Sequence, residues 1–143
     1  MHVLGLIGFP VGWLKGGHPE RFGAAVLLLN YLVSSQVHLW RIGNFYFGSA
    51  AGDFVLLLIF GWMALKTDRW WPFVVTAALA LAMTIHLLTL TMPDLSRYAA
   101  TSAQIGLWIL INLTVLAGVF ERWLAGEPAV SGRIRWRRAP YTP

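Results

Sequence analysis

The sequence predicts an all-α membrane protein: a transmembrane four-helix bundle with a short apolar N-terminal segment and a disordered basic C-terminal tail. Three observations carry this. The run from Trp70 to Met92 contains no Asp, Glu, Lys or Arg. As a helix rising 1.5 Å per residue it would be about 34 Å long, enough to cross a hydrocarbon core. Second, the 143-residue chain is 57% hydrophobic and 12% charged, with mean hydropathy +0.62; a soluble domain carries roughly twice that share of charge. Third, the basic residues fall between and after the apolar runs, which is how topology signals are placed.

Residues 1–17 come first. Met1 to Leu14 is apolar but short, and Pro10 interrupts it. No Lys or Arg precedes it, and Lys15-Gly16-Gly17 follows where a cleavage site would need small residues. These features argue against a signal peptide. An interfacial segment lying on the membrane is the first reading; a peripheral extension from an upstream start codon is the rival.

The membrane domain is expected over residues 18–123. Span 1 covers 22–40, preceded by Pro19-Glu20-Arg21 and closed by Arg41. It is the most polar span, with Asn30, Ser34, Ser35, Gln36 and His38. Residues 41–52 read as a loop whose cluster Phe45-Tyr46-Phe47 suits the headgroup region. Span 2 covers about 50–65, with Asp53 near its start and Lys66 to Arg69 after it. Span 3 covers 70–92; Pro72 lies in its first turn, where a missing N–H is tolerated. Pro93-Asp94-Leu95-Ser96 has turn composition. Span 4 covers 98–120, followed by Glu121-Arg122-Trp123. Residues 124–143 form a Gly-, Pro- and Arg-rich tail, expected to be unstructured in isolation.

Four spans put both termini on one side. Lys15, Arg21, Lys66, Arg69, Arg122, Arg133, Arg135, Arg137 and Arg138 then share that side, against Arg41 and Arg97 opposite. The positive-inside rule makes the nine-residue side cytoplasmic, so both termini are expected there.

Polar groups in hydrocarbon need partners, so they mark interior faces or sites. Asn30, Ser34, His38 and Arg41 form one helical stripe on span 1. Asp53 shares its face with Leu57, Phe60 and Ala64 on span 2, and Ala78, Ala82, His86 and Thr89 form a stripe on span 3. Ala78-x-x-x-Ala82 is a small-residue pattern for close helix approach, and Gly48-x-x-x-Gly52 reads the same way. On span 4, Gln104 and Asn112 share a face. The expected polar interior cluster is therefore Asn30, Ser34, His38, Arg41, Asp53, His86, Gln104 and Asn112. His38 and His86 each lie seventeen residues from Arg21 and Arg69, about 25 Å up, and Asp53 about 20 Å up, in the outer half. Glu20-Arg21 and His38 recur as Asp68-Arg69 and His86 at an offset of 48, a faint repeat used only to match the two histidine depths.

Several chemistries compete at these residues. His38 and His86 read most simply as interhelical hydrogen-bonding groups. Alternatively they are the two axial ligands of a b-type haem held between helices, or join Asp53 in a metal or proton site. Asp53 reads most simply as paired with Arg41 or a histidine, and alternatively as the titrating group of a small proton-coupled transporter. Broken helices at the midplane, frequent in transporters, are not indicated. In the tail, Arg133, Arg135, Trp136, Arg137 and Arg138 read as an anchor on anionic lipid headgroups, each basic residue contributing about 1 kcal/mol near the surface, or as a partner-docking segment. RNA binding by so short a segment is poorly supported, and no nucleic acid is expected.

The chain has no cysteine, which excludes disulfides, thiolate metal sites and cysteine nucleophiles. It has no GxxxxGK[ST], HExxH or GxSxG motif. The HPERFGA segment from His18 and DRWWPFVVTA…IHL from Asp68 resemble a group of small, uncharacterised four-span bacterial inner-membrane proteins. The resemblance covers residues 18 to about 123. It implies the same four-span fold, supplies no catalytic or binding residue, and favours a peripheral role for residues 1–17. The expected function is non-enzymatic, an accessory subunit or interaction scaffold with no obligate cofactor. Its expected partners are the bilayer and another membrane protein or a second copy of itself.

Overall fold

A computed structural model describes residues 10, 13–37, 41–42, 45–92 and 96–126. It is all-helical apart from one two-residue β-pairing. The elements are α1 (His18–Val37), β1 (Arg41–Ile42), β2 (Phe45–Tyr46), α2 (Phe47–Lys66), α3 (Trp71–Thr91) and α4 (Arg97–Leu124). Three of these, α2, α3 and α4, are long and apolar enough to cross a membrane. That is the build of a membrane protein. With its Asn, Gln and serines, α1 is the most polar of the long helices.

Local chemistry sets the ends. Gly17 and Glu20 open α1: the Glu20 carboxylate accepts the Gly17 N–H at 2.8 Å, and Arg21 N donates to Gly17 O. A glutamate three residues into a helix, reaching back to the capping residue, is half of a capping box. This starts the helix four residues ahead of the expected span, because residues flanking an apolar run can still be helical. The loop expected over 41–52 is also corrected. Arg41 pairs with Tyr46 and Ile42 with Phe45, antiparallel, and α2 begins at Phe47. Ile, Phe and Tyr suit paired strands, and Gly43-Asn44 between them is a hairpin dipeptide. Pro72 sits at the start of α3, and Ser96 caps α4 by accepting from Ala99 N. Gly126, at φ +70°, closes α4 in the left-handed conformation that suits glycine, its N–H on Trp123 O.

α3 packs most extensively on α4 and α2, while α1 rests mainly on α2 with a smaller contact to α4. The core is apolar and continuous: Leu27 of α1, Leu56, Phe60 and Met63 of α2, Val75, Ala78 and Leu79 of α3, Ile111 and Val115 of α4. The outward faces are apolar too, with Leu29, Phe54, Leu58, Trp62, Phe73, Leu81 and Leu113 exposed. Helices apolar all round are found in protein cores or in lipid. Hydroxyls on these faces are satisfied within their own helix: Thr76, Thr84 and Thr91 each donate to the carbonyl four residues back. Between lipid-facing helices the attraction comes from close packing rather than from expelling water. Buried small residues such as Ala78 and Ala82 are therefore structural requirements.

Candidate functional site

Two polar layers cap the apolar core, one at each end. At the hairpin end, beside the start of α2 and the end of α3, Asp53 is the first ionisable residue of α2. It is 1% exposed. Its Oδ2 lies 3.0 Å from His86 Nε2 of α3. Gln104 of α4 completes the group: its Nε2 lies 3.1 Å from the same ring nitrogen and donates to Ala82 O at 3.3 Å. The methyl of Ala82, one turn before His86, leaves room for this amide to reach the backbone. α1 joins from the other side. A Cβ on Gly52 would lie 2.6 Å from Asn30 Oδ1 and 3.8 Å from Ser34 Oγ, so glycine beside Asp53 is what lets the polar stripe of α1 come close.

The layer at the other end was not expected from the sequence. Glu20 is fully buried and faces Arg122 of α4, Nη1 to Oε2 3.7 Å. Gly17 is wedged beside them: a Cβ there would lie 2.0 Å from Arg122 Nη1. Trp71 is fully buried alongside, edge-on to Phe60 with ring centroids 6.0 Å apart. It fills a slot between two glycines. A Cβ on Gly118 would lie 2.5 Å from its Cδ1, and one on Gly23 2.8 Å from its ring. The neighbouring Trp70 is exposed instead, its indole N–H donating to the Glu121 carboxylate.

Of the expected cluster, the structure brings Asp53, His86 and Gln104 into hydrogen-bonding contact and sets Asn30 and Ser34 against Gly52 beside them. Asn112 stands apart; its amide donates to Trp108 O on its own helix, two turns from Gln104. Arg41 belongs to β1, but its side chain lies outside the described residues, as do His38 and the tail residues Arg133, Arg135, Trp136, Arg137 and Arg138. Among the described residues no three His, Asp or Glu side chains converge as metal ligands. The residues that sequence reasoning missed are Glu20, Trp71 and Arg122. Gly17-x-x-Glu20 was the available signal for the first. For Trp71 the signal was its place seven residues before Ala78, on the stripe of Ala78, Ala82 and His86, which Trp70 does not share.

Chemically, the Asp53–His86 pair can hold a proton. A carboxylate with an imidazolium and a carboxylic acid with an imidazole are both net neutral, and neutrality is what a membrane interior favours. The Glu20–Arg122 pair has no such freedom, because a guanidinium keeps its charge. Comparison of the chain with protein-family models, with curated proteins and with solved structures finds no match to any of the three.

Proposed function

We propose that the protein is a four-span protein of the bacterial inner membrane, both termini cytoplasmic, acting without catalysis as an accessory subunit or interaction scaffold. One observation carries the reading. Among the described residues, Asp53, His86 and Gln104 engage one another at one end of the helices and Glu20 faces Arg122 at the other, while the outward faces carry large apolar side chains. Such a molecule offers its surroundings surfaces to pack on. The nine-to-two distribution of basic residues supports the orientation, α1 supplying the fourth crossing. The resemblance to small four-span inner-membrane proteins agrees with it. The test is photo-crosslinking in cells from probes replacing Phe54, Trp62 or Phe73. A reproducible protein adduct, to a second copy or to one other membrane protein, is expected; adducts to lipid alone from all three positions would end the scaffold reading.

A second reading has an observation in its favour. Asp53 as the titrating group of a proton-coupled carrier is supported by its burial and its imidazole partner. Flux in proteoliposomes that is unchanged by Asp53→Asn removes it. The haem reading draws no such support: His86 Nε2, a nitrogen that iron would take, already faces Asp53 and Gln104. A reduced-state visible spectrum of protein from haem-replete cells is expected to show no haem bands.

A further inference from the structure

We propose that the groove between the end of α2 and the start of α3 binds the headgroup of a phosphatidylethanolamine-type lipid, Arg69 taking the phosphate and Asp68 the ammonium. The inference goes beyond the scaffold reading and rests only on α2 and α3 crossing the membrane.

The groove has the layout of a phospholipid. α2 ends at Lys66 and α3 begins at Trp71, so the short connection between them sits where two apolar helices leave the bilayer. A cavity of about 620 Å³ opens beside it, within the usual range for a small-ligand site. Thr67, Asp68 and Arg69 line it at the connection, and Ala64, Leu65 and Phe73 line it inside the ends of the two helices. Polar groups thus lie at the membrane surface and apolar ones toward the midplane, the order of headgroup and acyl chain. Leu65 and Phe73 are exposed, as side chains along an acyl chain would be. Trp70 also lines the groove, and its indole N–H donates to the Glu121 carboxylate, which ties that wall to α4. Tryptophan at this level is a common interfacial anchor.

Charge selects the headgroup. Around the groove Lys66 and Arg69 stand against Asp68 and Glu121, while Arg122 faces Glu20. A balanced surface gives a net-anionic headgroup little overall attraction, whereas a zwitterion finds a partner for each of its ends. The Thr67 hydroxyl donates to Met63 O, so Asp68 and Arg69 are the groups of the lining that can grip a charged headgroup. A guanidinium carries five N–H donors in a fork that matches phosphate, so Arg69 can hold one alongside another partner. An ionised carboxylate only accepts, so Asp68 calls for a cation that donates. A primary ammonium does so and a quaternary one does not. Neighbouring residues have Cα atoms about 3.8 Å apart, which suits the short ethanolamine link between phosphate and amine. The helix dipoles agree in sign: the C-terminal end of α2 favours a cation and the N-terminal end of α3 an anion.

The test is native mass spectrometry of the full-length protein, titrated in detergent with phosphatidylethanolamine, phosphatidylcholine or phosphatidylglycerol of identical acyl chains. Phosphatidylethanolamine is expected to bind most tightly. Asp68→Asn should cut its advantage over phosphatidylcholine by about threefold to fivefold, the weight of one partly exposed ion pair. Arg69→Gln should weaken all three lipids by a similar factor, because all carry the phosphate. Asp68 is exposed and both residues lie outside the helices, so these variants are expected to fold. Arg97→Gln, exposed at the other end of the bundle, should leave the preference unchanged. Three results overturn the proposal: phosphatidylglycerol preferred, which would mean a simple basic patch; no headgroup preference in the parent, which would mean a lipid coat without a site; or a preference that survives both Asp68→Asn and Arg69→Gln. Failure of the scaffold reading would show separately, in crosslinking from Phe54 and Trp62, neither of which lines the groove.

Discussion

The two polar layers solve one problem with different chemistry. At the hairpin end a carboxyl, an imidazole and an amide meet within 3.1 Å, several residues inside the helices. All three can be uncharged. At the other end a carboxylate and a guanidinium meet at 3.7 Å, within the first turn of α1 and the last turn of α4. Arginine cannot shed its charge, and this pair stands at helix ends. Glycines serve both layers by bringing backbones close, Gly52 at one and Gly17, Gly23 and Gly118 at the other. Depth in the bundle thus selects which ion-pair chemistry is tolerable.

Substitutions can break this comparison, and their effects are expected to descend in a set order. Trp71→Ala empties the slot between Gly23 and Gly118 and should cost about 3–5 kcal/mol, read as a shift in the SDS-unfolding midpoint in mixed micelles. Arg122→Ala leaves the Glu20 carboxylate buried without its counter-charge; the long contact points to the lower end of the usual range, about 3 kcal/mol. Adding Glu20→Gln to that variant should restore much of the loss, and a double variant no more stable than Arg122→Ala would show that the charge is not the cause. Asp53→Ala leaves behind an imidazole and an amide, both of which can stay uncharged, so it should cost less, about 1–2 kcal/mol for the unmade hydrogen bond. A loss equal to that of Arg122→Ala would mean that the hairpin-end pair is ionised after all. Thr84→Ala, on an exposed face and bonded only to its own helix, is the control, expected within about 0.5 kcal/mol of the parent.

Much of the helical framework could be read along the chain. The uncharged run from Trp70 to Met92 became α3 over Trp71–Thr91, and α2 and α4 follow two more apolar runs. Periodicity also put Asn30 and Ser34 on one face, and Ala82 and His86 on another. These are local properties, set by a 1.5 Å rise and 3.6 residues per turn. The hairpin was signalled by Gly43-Asn44 between β-favouring residues, a cue outweighed by treating the aromatics as interfacial.

What the amino-acid order determined by itself was therefore the solvent, the helices and the faces that could turn inward, because hydropathy and helical period act within one segment. Which groups meet was decided only when the segments packed. Adjacent tryptophans project about 100° apart, and helical period puts Trp71 on the face of Ala78, but only the packed glycines of α1 and α4 supply the slot that its ring fills. Glu20 and Arg122, about a hundred residues apart and each at the margin of an apolar run, look like ordinary flanking charges until α1 and α4 lie side by side. An ion pair is a property of the distance between two helices, and no single stretch of sequence contains that distance.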